Sequence, residues 1–295
     1  NVGAGEYYES GGTYLYSSAL TISGAGAANT HVYASDMGAW LTIQAPDVSV
    51  SEMTIHAQND RAFDVGGIAS PGTTTFTLAN VVINGPGNMY QDAGSLVRVQ
   101  SEYSLVASGV TLQNGMSSTY GGALALTNGS SATLSDMLFD SNSAANRGGA
   151  IYANYANFTC TDCTFSGNSS QYGGAVALDY AELTASGGTF STNGADLEGG
   201  AIYYISEPST IDEDVDPNTT GLDLTNVVFS ANTSNGAGGA VSARDGTLTL
   251  TGVTFSDNWA KATASEDGTG GAIRSWNTSL TATDVTLNNN IAATN

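Results

Sequence analysis

Apolar residues recur along this chain in pairs two apart, each pair separated from the next by a step of three. Val48, Val50, Met53 and Ile55 show the pattern, as do Phe76, Leu78, Val81 and Ile83. It returns at Leu222, Leu224, Val227 and Phe229, and at Leu248, Leu250, Val253 and Phe255. A spacing of two is the alternation of a half-buried strand, and the step of three puts a corner between two short strands. Taking the last apolar residue of each set as an anchor gives Ile55, Ile83, Leu112, Phe139, Phe165, Phe190, Phe229, Phe255 and Leu287. Their spacings are 28, 29, 27, 26, 25, 39, 26 and 32 residues, so one unit repeats and two copies carry insertions.

The corners have their own signature. Three residues before the anchors stand Glu52, Asn80, Gly109, Asp136, Asp162, Gly187, Asn226, Gly252 and Asp284. All but Glu52 are Gly, Asn or Asp, which tolerate left-handed backbone angles in tight turns. Such a unit cannot bury its apolar side alone, whereas stacked copies can. The pattern therefore predicts an all-β protein, a right-handed parallel β-helix (β-solenoid) of about nine or ten rungs. Residues 1–295 form one domain, with an acidic loop inserted at 205–220 and a second loop at 260–269. At ~4.8 Å per rung the rod would be roughly 45 Å long.

Two further columns describe shape. Three residues after the anchors come Asn142, Asn168, Asn193, Asn232, Asn258 and Asn290. Their amides are expected to form a ladder, pairing up and down the stack and satisfying backbone groups in the bend. Glycine pairs at 121–122, 148–149, 173–174, 199–200, 238–239 and 270–271 are each followed by Ala and an aliphatic residue. They predict a strained bend with close rung-to-rung contact. No helical pattern follows them, so they are not dinucleotide-binding loops.

The paired motif, FxxN followed by GGA[ILV], resembles the repeat of the chlamydial polymorphic outer-membrane protein family. Its strict FxxN copies start at Phe139, Phe165, Phe190, Phe229 and Phe255, and Leu287 to Asn290 is a Leu variant. The stretch GTYLYSSALTISGAG resembles more generally the opening rungs of pectin-lyase-like β-helices. This resemblance implies a surface-exposed or secreted protein, often an autotransporter passenger and in several cases an adhesin. No C-terminal barrel pattern accompanies it.

Charge narrows the partners. Six basic residues against 27 acidic ones give a net charge of −21, which excludes nucleic acid and anionic membrane surfaces. No apolar run approaches the ~20 residues that span a bilayer, so direct membrane insertion is not expected. An extracellular or cell-surface location is. No secretory signal opens at Asn1, and the last rung stops at NNNIAATN, before another glycine pair. The open strand edges of a solenoid need covering, and head-to-tail self-association would cover them.

Candidate chemistry is sparse. Arg61, Arg98, Arg147, Arg244, Lys261 and Arg274 fall on different rungs and repeat positions, and only Arg147 and Lys261 come close to sharing a column. His56 belongs to an outward polar column with Asn84, Gln113, Asp140, Ser166 and Ser191, and His31 has no evident partner. A Ser-His-Asp or metal-hydrolase set is not expected from two isolated histidines. Asp136 and Asp162 should be corner neighbours about 5 Å apart, suited to a retaining glycosidase or a calcium ion. Backbone geometry alone also explains them. Asp212, Asp214, Asp216 and Asn218 alternate as oxygen ligands in the first half of a Ca²⁺ loop do; a solvated acidic loop is the other reading. Calcium is the one cofactor expected. Cys160 and Cys163 should both point inward across a corner, as a small-loop disulfide or as two buried thiols. Tyr152, Tyr203 and Trp276 occupy outward positions after glycine pairs, where aromatic rings can stack on sugars. A column of Thr77, Thr133, Thr159, Thr184, Thr249 and Thr281, broken by Val106 and Asp223, has the flatness of an ice-binding array.

This fold hosts enzymes and non-enzymes alike, so the site decides. Carboxylates or basic groups converging in one place would mark an enzyme, and columns alone would mark a rod. The scatter of the basic residues points to a non-catalytic extracellular surface protein, an adhesin or structural rod able to assemble head-to-tail into a filament. Its partners would be cell-surface or matrix glycans or proteins. The alternative is a carbohydrate-active enzyme (polysaccharide lyase or glycosidase) or a glycan-binding module, and an ice-binding module comes third.

Overall fold

The computed structural model describes residues 1–16, 19–35, 39–58, 61–66, 74–86, 93–101, 103–206, 220–261 and 268–293. These residues form strands and corners without a helix, and neighbouring rungs pair in parallel throughout. One complete rung shows the plan. Strand Ile151–Asn154 turns at Tyr155 into Asn157–Thr161, which turns at Asp162 into Thr164–Ser166. A third turn at Gly167 leads into Ser169–Tyr172, and a fourth at Gly173 starts the next rung. We call these four sides the glycine side (following the glycine pair), the long side, the anchor side and the short side.

The anchors align as the period requires. Ile55, Ile83, Leu112, Phe139, Phe165, Phe190, Phe229, Phe255 and Leu287 are successive partners in one column. The five phenylalanine rings stack inside the solenoid at 4.7, 4.3, 4.8 and 4.8 Å between centroids. On the long side ten strands stack, from Leu20–Ser23 to Ile273–Thr283. The solenoid makes about eight turns, where the repeat spacing suggests nine or ten. The threonine column is in register there, with Val106 and Asp223 interrupting it.

All nine corner residues before the anchors have positive φ, including Glu52 at 56°. Glu52 accepts a hydrogen bond from Asn80 Nδ2 at 2.6 Å, which ties it to the next rung. A further left-handed column, Asn114, Ser141, Gly167, Thr192, Ala231, Asp257 and Asn289, shares no residue type. The ladder asparagine beside it holds the bend instead. Asn168 Nδ2 donates to the Phe139 carbonyl at 3.0 Å and to Asn193 Oδ1 at 3.0 Å, while its Oδ1 accepts from Asn142 N–H at 3.0 Å. Asn142, Asn193, Asn232 and Asn258 repeat this arrangement, and Asn290 makes its last step at Asn258 and the Phe255 carbonyl. At the glycine pair 148–149, Gly148 has φ 65°, and a Cβ on Gly149 would strike the Gly174 carbonyl of the next rung. Cys160 and Cys163 are buried and joined in a disulfide across the corner, Cα atoms 5.9 Å apart.

Candidate functional site

The glycine side carries three outward columns. One precedes the glycine pairs and reads Tyr120, Arg147, Tyr172, Glu198, Ala237, Thr269. The next follows the bend and reads Arg98, Ala125, Tyr152, Ala177, Tyr203, Ser242, Arg274. Two residues further along lie Gln100, Thr127, Asn154, Asp179, Ile205, Arg244 and Trp276. Small Ala125 and Ala177 alternate with Tyr152 and Tyr203, which gives each ring room to lie over its neighbour. Because the bend is tight, all three columns face the same way.

Asp179 is held from two directions. Arg147 NH1 donates to its Oδ1 at 2.5 Å, and the Tyr152 hydroxyl donates to its Oδ2 at 3.0 Å. The Arg147 guanidinium also lies over the Tyr172 and Tyr203 rings, 5.3 and 5.4 Å from their centroids. Tyr120 stacks on Tyr152 at 4.6 Å. One rung further, Glu198 Oε2 accepts from Ser242 Oγ and from Arg274 NH1, both at 2.9 Å, and its Oε1 faces Arg244 NH2 at 3.5 Å. Arg244 and Arg274 flank the Trp276 ring at 5.6 and 5.1 Å.

Tyr203 joins the two clusters: Arg147, Arg244, Glu198 and Asp179 all act on its phenol. Burial raises its pKa, opposed by the two arginines. Burial first, then Asp179, drives the Tyr152 hydroxyl far above the usual tyrosine value, so it remains a hydrogen-bond donor. Burial works against the Arg147 charge, but the attraction and hydrogen bond of Asp179 outweigh it and its pKa is raised.

The expected scatter of basic residues is corrected here. Arg98 grips Asp64 with Nε at 2.9 Å and NH2 at 2.6 Å, and Arg61 lies 3.7 Å from the same carboxylate. All five arginines thus lie on or beside the glycine side, each against a carboxylate. Residues before and after the bend differ in repeat position yet share a face, which the repeat offset alone conceals. Lys261 stands apart, over Trp259 at 5.1 Å.

The stacking candidates divide. Tyr152 and Tyr203 point outward but are only 8% and 3% exposed, covered by Tyr120, Tyr172 and Arg147. Trp276 is 60% exposed. His31 does have a partner: its Nδ1 lies 3.2 Å from His56 Nε2, and Tyr8, Tyr33 and His56 stack at 4.8 and 4.5 Å. Burial, then the His31 charge, lowers the His56 pKa. A polar cavity of about 360 Å³ lies beside Tyr33, His56, Gln58 and Asn84. Asp136 and Asp162 stand exposed at successive corners. Among the described residues no three His, Cys, Asp or Glu side chains gather as metal ligands. The calcium candidates Asp212, Asp214, Asp216 and Asn218 lie outside the described residues.

Fold and columns together define a right-handed parallel β-helix. The chain belongs to the family described as right handed beta helix region, whose sequence model matches residues 95–292. No curated protein matches the sequence. Among solved structures the chain is similar to the catalytic domain of a GH87 alpha-1,3-glucanase variant in complex with tetrasaccharides. That match has a TM-score of 0.42 and 12% identity, and covers 97% of this chain and 59% of that one. The same domain in complex with nigerose gives a TM-score of 0.37 and 11% identity over 96% of this chain and 63% of that one. The chain therefore spans about three fifths of the length of those domains. At such scores the likeness concerns the course of the chain.

The expectation of a non-catalytic adhesin or structural rod is corrected as well. On this chain itself, arginines and carboxylates converge on one face instead of standing only in columns.

Proposed function

We propose that this protein is a carbohydrate-active enzyme of the glycoside hydrolase type, acting on a glycan laid along the glycine side. The observation that carries the reading is the convergence of Arg147, Arg244 and Arg274 with Asp179 and Glu198 around Tyr203. Glycoside hydrolysis uses two carboxylates flanking the scissile bond. Asp179 and Glu198 are the pair one rung apart on this face. Arg147 and Arg274 hold the two carboxylates in position. Tyr152 and Ser242 orient the two groups by hydrogen bonds. Trp276 offers an open ring at the C-terminal end of the same face.

Electrostatics supports the same surface. On a chain of net charge −21, this is where five guanidinium groups share three carboxylates. An acidic glycan meets local attraction here and repulsion elsewhere. An extracellular setting fits the acidic composition and the FxxN and GGA repeat, whose resemblance is to surface proteins. A Ca²⁺ ion held by Asp212, Asp214, Asp216 and Asn218 belongs to this proposal.

Incubating the protein with a panel of polysaccharides and following reducing-end release tests the reading. Release by the wild type that is lost in Asp179→Asn and Glu198→Gln supports it. Glycan binding without release by the wild type would leave a binding module in place of an enzyme. Neither binding nor release on any polymer would overturn the proposal.

A further inference from the structure

The corner between the glycine side and the long side is left-handed in six rungs, at Ser101, Asn128, Tyr155, Tyr180, Asp245 and Asn277, with φ between 48° and 59°. Four of these are Ser, Asn or Asp, small polar residues whose side chains tolerate or stabilise that conformation. Tyrosine has no such compensation, and a bulky residue at positive φ is an outlier. Both exceptions occur in the two rungs that build the Asp179 cluster. Tyr180 directly follows Asp179, and Tyr155 follows Asn154, whose Nδ2 donates to the Asp179 carbonyl at 3.4 Å.

The two rings stack at 5.0 Å between centroids, and Tyr155 is 52% exposed. The preceding rung brings Asn128 and Gly129 to this level, with Gly129 N–H donating to the Tyr155 carbonyl at 2.7 Å. Strained residues that the surrounding fold holds in place cluster at functional sites. A local preference broken beside the reactive groups and nowhere else along the column points the same way.

We infer that Tyr155 and Tyr180 form a sugar-stacking platform at the edge of the Asp179 cluster, taking the apolar face of a pyranose ring from a neutral or acidic glycan. Their rings offer an apolar face with a hydroxyl at its rim, the pairing of surfaces that a sugar ring presents in return. The buried Tyr152 and Tyr203 then serve the carboxylates, and the corner tyrosines serve the substrate. The inference rests on the carbohydrate reading of the site.

The test is the double variant Tyr155→Asn/Tyr180→Asn, with melting and glycan binding measured side by side on the polymers that the wild type retains. Asparagine tolerates the left-handed corner, so the melting midpoint should stay unchanged or rise, while affinity falls about tenfold. A midpoint lower by more than about 3 °C with binding intact would make the tyrosines structural and overturn the platform. Binding retained by the variant at wild-type affinity removes the platform alone. Absence of binding by the wild type removes the functional reading and the platform with it.

Discussion

Replacing Asn168 by Ala tests whether the ladder asparagines hold the solenoid together. Asn168 is fully buried, and its amide makes contacts in both directions along the stack. Removing it orphans the Asn142 N–H, whose acceptor is Asn168 Oδ1, and takes the amide donor from the Phe139 carbonyl. Asn142 Nδ2 keeps the Leu112 carbonyl, and Asn193 Oδ1 keeps the Asn168 backbone N–H, so these two lose one bond each. An orphaned buried group costs about 1–3 kcal/mol and a lost bond with a remaining partner about 0.5–1.5 kcal/mol. One orphaned group and three lost bonds sum to about 2.5–7.5 kcal/mol, enough to open the stack locally. Asn290→Ala removes the equivalent bonds from the half-buried last step, where water substitutes, and should cost about 1 kcal/mol. Repeat arrays unfold rung by rung, so a single unfolding free energy is not the right readout. Native-state hydrogen exchange at the Asn142 amide reports on this bond directly, alongside the melting midpoint. If Asn168→Ala keeps the Asn142 amide protected and melts within a degree or two of the wild type, the ladder is decoration and the argument fails.

Other outcomes follow from the same structure. Arg147→Ala should leave Asp179 with Tyr152 as its remaining side-chain donor, lower the melting midpoint because the buried carboxylate loses its charge partner, and lower glycan turnover at least tenfold; unaltered turnover would remove Arg147 from the site. The Tyr152 phenol, raised by burial and by Asp179, should not ionise in ultraviolet titration until the protein unfolds at alkaline pH; ionisation of the folded protein's full tyrosine complement would refute this. The folded-state pKa of His56 lies below its ordinary value of about 6.5, so the unfolded chain binds protons more readily. The stability this contributes is complete above that value and lost as the pH falls through the folded pKa, so the exchange protection factors of Thr30–Ala34 and Val48–Ala57, corrected for the intrinsic rate, should fall on acidification. His56→Gln should flatten that dependence, and an unchanged pH profile would refute it. Added calcium should raise the melting midpoint through the Asp212 to Asn218 loop, and Asp212→Asn/Asp214→Asn should abolish the increment; equal midpoints with calcium and with chelator would exclude the ion.

Much of this architecture is legible in the sequence because a solenoid repeats its physics at a fixed interval. The anchor column, the corner glycines and the Phe139 to Phe255 stack each occur once per rung, so period and burial agree. The corner at Ser141, Thr192 and Ala231 escapes that logic. Its conformation is imposed by a neighbour's amide, and the residue occupying it is free to vary. The site is hidden for a related reason. Arg147, Arg274 and Asp179 sit at three different offsets from the nearest glycine pair, and an analysis by column files them apart. Only the tightness of the bend, set by backbone contact between Gly149 and Gly174, brings those offsets onto one face. His31 and His56 illustrate the same limit: they pair diagonally between columns, where offset counting finds nothing.

The glycine side is also where rigidity and chemistry meet on this molecule. Each rung is fixed to its neighbours by backbone bonds on every side, so a side chain displayed there cannot relax far from its partners. A buried ion pair gains little stability after desolvation, and five arginines packed against three carboxylates are an expensive way to build a wall. Elsewhere this chain builds outward columns from Ser, Thr and Asn at far lower desolvation cost, as the run Ser166, Ser191, Ser230 and Ser256 shows on the anchor side. The same fold therefore had a cheaper surface available on every rung. Charge concentrated on one side, joined through Tyr203 and bordered by two tyrosines in a backbone conformation they disfavour, is better explained by a ligand than by the needs of the solenoid.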